Sequence, residues 1–117
     1  DLVVEKDIRH IITLKDFDNF YTSKAHNFMD ANDYYQKCSA RQFLPNIQIP
    51  ALLINAQNDS FLGEHCFPFF EAENSKSFFL ETPKYGGHVG FWGPKNITYT
   101  ERRALAFFKE KIPALNL

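Results

Sequence analysis

Cysteine is scarce in this chain. The two present, Cys38 and Cys66, are too few for a disulfide framework. They read as two reduced thiols of a cytoplasmic protein. No pair of His or Cys has the spacing of metal ligands, so no metal and no other cofactor is expected. Net charge is nearly absent too: a formal −1 at pH 7 gives no electrostatic footprint for nucleic acid or an anionic membrane. No apolar run approaches the ~20 residues of a membrane-spanning helix. The opening stretch, DLVVEKDIRH, lacks the charged–apolar–small order of a signal peptide. Neither an internal repeat nor a low-complexity segment is visible.

Aromatic residues are abundant: 13 phenylalanines and five tyrosines in 117 residues. A chain of this length is one domain or part of one, and it buries roughly two thirds of its unfolded surface. That is more aromatic surface than a small solo domain needs, which suggests contact with something outside the chain.

Residues 8–29 carry scattered apolar positions without a clean period and read as short helices joined by turns. Asp30 is placed to cap a helix in which Tyr34, Tyr35 and Cys38 recur at helical spacing. Pro45 and Pro50 bracket a non-helical linker. The apolar run from Ala51 to Ala56 then predicts a parallel strand buried on both faces. Residues 60–76 are part loop and part helix, and SFFLET at 77–82 is the second strand. The last helix starts from a capping box of Thr98 and Glu101, buries Ala104, Leu105, Phe108 and Ile112 on one face, and ends at Pro113.

The order is therefore strand, Asp59, crossover, strand, His88, helix. A right-handed crossover puts both strand C-termini on one edge of the sheet. Adjacent strands lie ~4.8 Å apart, and ligands in such sheets bind outside the carboxyl ends. Twenty-nine residues separate Asp59 from His88, which suits a crossover unit of about 30. A carboxylate there would fix the imidazole tautomer and leave the other ring nitrogen free to accept a proton from a nucleophile. Two plainer readings stand beside this one. Asp59 would cap the next helix, and His88, in KYGGHVGFWG, would be a turn residue. Gly86 and Gly87 let the backbone turn sharply off the strand, by positive φ if needed. Phe61, Phe91 and Trp92 are the candidate substrate-binding side chains, shielding the ring or lining an apolar pocket. His10, His26 and His65 have no comparable setting.

The segments ANDYYQKCSA, LPNIQIPALLINAQNDSF and GGHVGFWG resemble the YheT-type branch of the α/β-hydrolases, and IRHIITLKDFDNFYTSKAHNF resembles the segment leading into the Tyr-Tyr helix. The resemblance covers roughly residues 8–93. It implies an α/β-hydrolase fold and a Ser–Asp–His triad acting on carboxylic esters, with the acid at Asp59 and the base at His88. The family pattern has a second acid and a proline around the first of these, DDPF; here Asn58 and Ser60 flank the aspartate. The nucleophile elbow G-x-S-x-G is missing, since none of the serines at 23, 39, 60, 75 and 77 is flanked by glycines two residues away on both sides.

The expected fold class is therefore α/β: the C-terminal portion of an α/β-hydrolase fold, with cap helices, the last two parallel strands, the C-terminal helix and an incomplete sheet. Residues 1–48 would be cap-derived and connecting helices, and 49–117 the βαβα part carrying the acid and the histidine. The partner would be a small-molecule acyl ester with an apolar chain. The exposed sheet edge would pair with a missing N-terminal segment or with a second copy of the chain. Two alternatives remain at this point: a non-catalytic interaction module, and amide or thioester cleavage by the same triad.

Overall fold

A computed structural model describes residues 8–112. Two compact units divide the chain, one running through Ala40 and one starting at Arg41.

In the first unit, α1 (Leu14–Phe17) begins with a capping box. The Thr13 hydroxyl accepts the Asp16 N–H at 3.1 Å, and the Asp16 carboxylate accepts the Thr13 N–H at 2.9 Å. Short helices separated by turns were expected here. Instead the chain stays helical through a π turn (Asp18–Thr22) into α2 (Ser23–Ala25), because no glycine or proline interrupts it. It stops where Asn27 takes a φ of 60° and the Phe28 N–H returns to the Ser23 carbonyl at 2.7 Å. Asp30 caps α3 (Ala31–Cys38) as its position suggests, accepting the Asp33 N–H at 2.8 Å. Two polar ties then fix α3 to the preceding helix. The Asn19 side chain accepts the Ala31 N–H at 2.8 Å, and the Tyr35 hydroxyl donates to Asp18.

A 3-10 stretch, Ala40–Asn46, takes in the first two residues of the expected linker, and residues 47–50 are non-helical as expected. Pro45 is tolerated because it sits near the end of the stretch, where its missing N–H costs a single bond. β1 (Ala51–Ile54) and β2 (Phe78–Glu81) form a parallel pair in the register Ala51–Phe78 to Ile54–Glu81. β1 starts where expected and ends two residues early, and β2 is one residue shorter than expected at each end. The ladder nevertheless continues, from Asn55 N–H to Glu81 carbonyl at 3.0 Å and from Gln57 N–H to Pro83 carbonyl at 2.9 Å. All four residues of β1 are only half-buried, where burial on both faces was expected. Among the described residues the sheet has two strands, so no further strand pairs with its outer edges.

The crossover contains a 3-10 turn (Glu64–Cys66) and the short helix α4 (Phe69–Glu73). Arg41 ties the two together, donating to Glu71 at 2.5 Å and to the His65 carbonyl at 2.8 Å. The last helix, α5 (Tyr99–Lys111), has the anticipated capping box. Thr98 accepts the Glu101 N–H at 3.2 Å and its own N–H reaches the Glu101 carboxylate at 2.6 Å. Its buried face differs from the predicted one. Phe107 is buried and meets Phe79 of β2 edge-on at 5.5 Å, while Leu105, Phe108 and Ile112 are exposed. The helix carries two apolar stripes, and only the one through Phe107 meets the sheet. Pro113, the expected terminator, lies outside the described residues.

Candidate active site at the carboxyl edge of the sheet

Because the ladder runs on to Gln57 and Pro83, the two chains leave the sheet side by side. Immediately beyond, Asp59 and His88 meet: the His88 Nδ1 lies 2.9 Å from the Asp59 Oδ2. The carboxylate is buried, with 4% of its side chain exposed, whereas the imidazole is 54% exposed. Asp59 also does the local work of a turn residue, since its Oδ1 accepts the Phe61 N–H at 2.9 Å. Asp59 does not cap the next helical element, which starts from Gly63; one of its oxygens serves the local turn and the other meets the ring. Burial alone pushes the Asp59 carboxyl upward. The His88 hydrogen bond, the Phe61 N–H and the charge of His88 outweigh it and hold the acid below the usual carboxylate range.

The glycine loop owes its shape to its own contacts. Gly87 has a φ of 58°. The Gly86 carbonyl accepts the N–H groups of both Gly90 and Phe91, at 3.1 and 3.0 Å. A Cβ on Gly86 would stand 2.5 Å from the Phe91 ring and 2.9 Å from the Ala56 Cβ. Only glycine fits there.

Phe61, Phe91 and Trp92 have three different settings. The ring facing His88 is that of Phe61, with centroids 4.7 Å apart and 77% of the residue exposed. Phe91 is 7% exposed, stacks on Tyr99 at 6.4 Å and holds a φ of 46°. It is an anchor beneath the loop. Trp92 is 84% exposed. With Asn58, Tyr85 and the glycines, Phe91 and Trp92 line a depression of about 250 Å³.

Sequence reasoning passed over Asn58 except as a departure from DDPF. Its side-chain oxygen accepts the N–H groups of Gly86 and Gly87, at 3.0 and 2.9 Å. The one signal available was its place directly before the acid at the end of a strand.

Chemically, the pair is an imidazole held in one tautomer by a buried carboxylate. Among the described residues no serine, threonine or cysteine is hydrogen-bonded to His88. Nor does any group of three or more His, Cys, Asp or Glu in those residues form a cluster able to hold a metal. No helix of the described residues is long and apolar enough to cross a membrane.

Three relatives show what the chain is similar to. It is 30% identical over 120 residues to the phospholipase ABHD3 of Bos taurus, covering 97% of this chain and 28% of that protein. It is 35% identical over 86 residues to the protein named "Putative esterase YheT" of Escherichia coli, covering 74% of this chain and 25% of the other. It is 30% identical over 90 residues to the monoacylglycerol lipase of Saccharomyces cerevisiae, covering 77% and 20% respectively. The chain thus spans about a quarter of the length of the curated relatives it matches. No protein-family model matches it, and no solved structure matches it significantly.

Proposed function

The chain belongs to the α/β-hydrolase family, in its YheT-like branch, and from that premise we propose that it is the C-terminal part of a serine carboxylic-ester hydrolase. The observation that carries this reading is the 2.9 Å contact between the buried Asp59 carboxylate and the half-exposed His88 ring, just past the ends of two parallel strands. The nucleophilic serine and the oxyanion hole belong to the part of the protein outside this chain. His88 Nε2 takes the proton from that serine as its oxygen attacks the ester carbonyl. The same proton then passes to the leaving alcohol as the carbon–oxygen bond breaks. Water, deprotonated by His88, releases the acid from the acyl-enzyme. Asp59 holds the Nδ1 proton throughout and stabilises the imidazolium.

The substrate is an acyl ester with an apolar chain. Phe61 and Trp92 supply exposed aromatic surface beside the pair and at the glycine loop. Phe91 takes part from below, as the support on which the glycine loop rests. The substrates in the names of the phospholipase and monoacylglycerol lipase relatives agree with this class.

The rest of the protein covers what is bare here: the outer edges of the two-stranded sheet and the second apolar stripe of α5, Leu105, Phe108 and Ile112. Residues 1–48 correspond to cap and connecting helices and 49–117 to the end of the core. The two free, exposed cysteines fit a reducing compartment, the cytoplasm.

Turnover of a p-nitrophenyl ester by the intact protein tests this. His88→Ala and Asp59→Asn should each lower kcat by roughly three to four orders of magnitude with folding retained, and residues 1–117 alone should be inert. Full activity in His88→Ala, or hydrolysis by the isolated chain, would overturn the reading.

A further inference from the structure

Beyond Gln57 and Pro83 the strands no longer pair, yet the acid and the histidine must still be held in register. Two neighbouring side chains bridge the gap. Asp59 takes the His88 ring, and Asn58 takes the two backbone N–H groups that precede it, Gly86 at 3.0 Å and Gly87 at 2.9 Å. Successive N–H groups converge on one oxygen because Gly87 adopts a left-handed φ of 58°. The loop's other backbone ties run within itself, from Gly90 and Phe91 back to the Gly86 carbonyl, and to the start of α5, from the Tyr99 N–H to the Phe91 carbonyl at 2.9 Å. They shape the loop but do not fasten it to the Asp59 strand. We propose that Asn58 is a positioning residue for the reaction, its amide oxygen clamping the Gly86–Gly87 backbone so that His88 stays within reach of Asp59. This rests on the hydrolase reading above.

The clamp compensates for the looseness of the backbone it holds. Glycines are the most permissive residues, so a Gly-Gly pair ahead of the base gives it freedom that something must remove. Asn58 removes it with one acceptor and no charge, leaving Asp59 as the carboxylate beside the ring. A carboxylate at position 58 keeps the acceptor, so Asn58→Asp preserves the clamp. Asn58→Leu keeps the shape and deletes it.

The test uses the intact protein with a p-nitrophenyl ester, and histidine ring ¹⁵N shifts to read the tautomer of His88. Asn58→Leu should lower kcat by about tenfold to a hundredfold, the cost of a small misplacement of the base, with KM changed by less than about threefold. It should also mix the two His88 tautomers. Asn58→Asp should recover kcat to within about threefold of the parent. Amide hydrogen exchange in the unmutated protein gives a readout that needs no variant to fold: Gly86 and Gly87 should exchange far more slowly than Gly63, whose N–H meets no backbone acceptor among the described residues. If His88→Ala abolishes turnover while Asn58→Leu retains full kcat and one tautomer, the positioning role is overturned and the hydrolase reading stands. Exchange at Gly86 and Gly87 as fast as at Gly63 would overturn the clamp directly. If His88→Ala itself leaves turnover intact, the hydrolase reading falls and the positioning role with it.

Discussion

Adding one methyl group at position 86 or 87 should have consequences that differ in kind. At Gly86 the new Cβ would lie 2.5 and 2.6 Å from two carbons of the Phe91 ring and 2.9 Å from the Ala56 Cβ. Carbon contacts are comfortable at about 3.5–4.0 Å, so something must move by an ångström or more. Neither neighbour can retreat, because Ala56 is fully buried and Phe91 is 7% exposed. Phe91 is also pinned through its backbone, donating to the Gly86 carbonyl at 3.0 Å and accepting from the Tyr99 N–H at 2.9 Å. Overpacking of this sort costs about 1–3 kcal/mol. At Gly87 a Cβ meets nothing, and the penalty is the left-handed backbone at φ 58°, about 1–2 kcal/mol. Stability alone would not separate the two, but a double-mutant cycle would. Removing the ring with Phe91→Ala relieves the two shortest contacts at 86, leaving the one with Ala56, and does nothing for the strain at 87. Urea unfolding of the intact protein should therefore show coupling of about 1 kcal/mol or more between Gly86→Ala and Phe91→Ala, and under about 0.5 kcal/mol between Gly87→Ala and Phe91→Ala. Additive losses at 86 and 91 would refute the claim that Phe91 supports the loop from beneath.

Asp59 makes a signed prediction about pH. Its folded pKa lies below the unfolded value, so its contribution is present above about pH 3.9 and is lost as pH falls through the lower folded value. The stability gap between the parent and Asp59→Asn, followed by urea unfolding, should hold near pH 5 and close toward pH 3; an unchanged gap at pH 3 would contradict the assignment. Phe61 is exposed and its ring faces His88. Phe61→Ala should leave stability within about 0.5 kcal/mol while raising KM for long-chain p-nitrophenyl esters more than for the acetate, and equal effects on both would argue against an acyl-chain contact.

Much of this architecture could be read from sequence because it rests on local chemistry. Thr98 and Glu101 announce a capping box, Asp30 a cap, and the apolar run at 51–56 a strand. The meeting of Asp59 with His88 follows from topology, since a crossover returns both strand ends to one edge whatever lies between. Other features depend on what surrounds each residue. Leu105 and Phe108 form one apolar stripe of the last helix and Phe107 lies on another, and periodicity cannot tell which stripe meets a neighbour. Phe91 follows a glycine in a loop and looks like an exposed aromatic; only the folded loop shows it turned under Gly86 at positive φ. Asn58 has the look of ordinary turn chemistry in the sequence, and only the fold converges two N–H groups on it.

The central claim is that His88, steadied by Asp59, activates a serine supplied by another part of the same protein. A serine-directed fluorophosphonate applied to the intact protein, followed by peptide mapping, tests it most directly. The account predicts one labelled serine outside residues 1–117, with labelling abolished in His88→Ala. Labelling of Ser23, Ser39, Ser60, Ser75 or Ser77, or full labelling in His88→Ala, would contradict it.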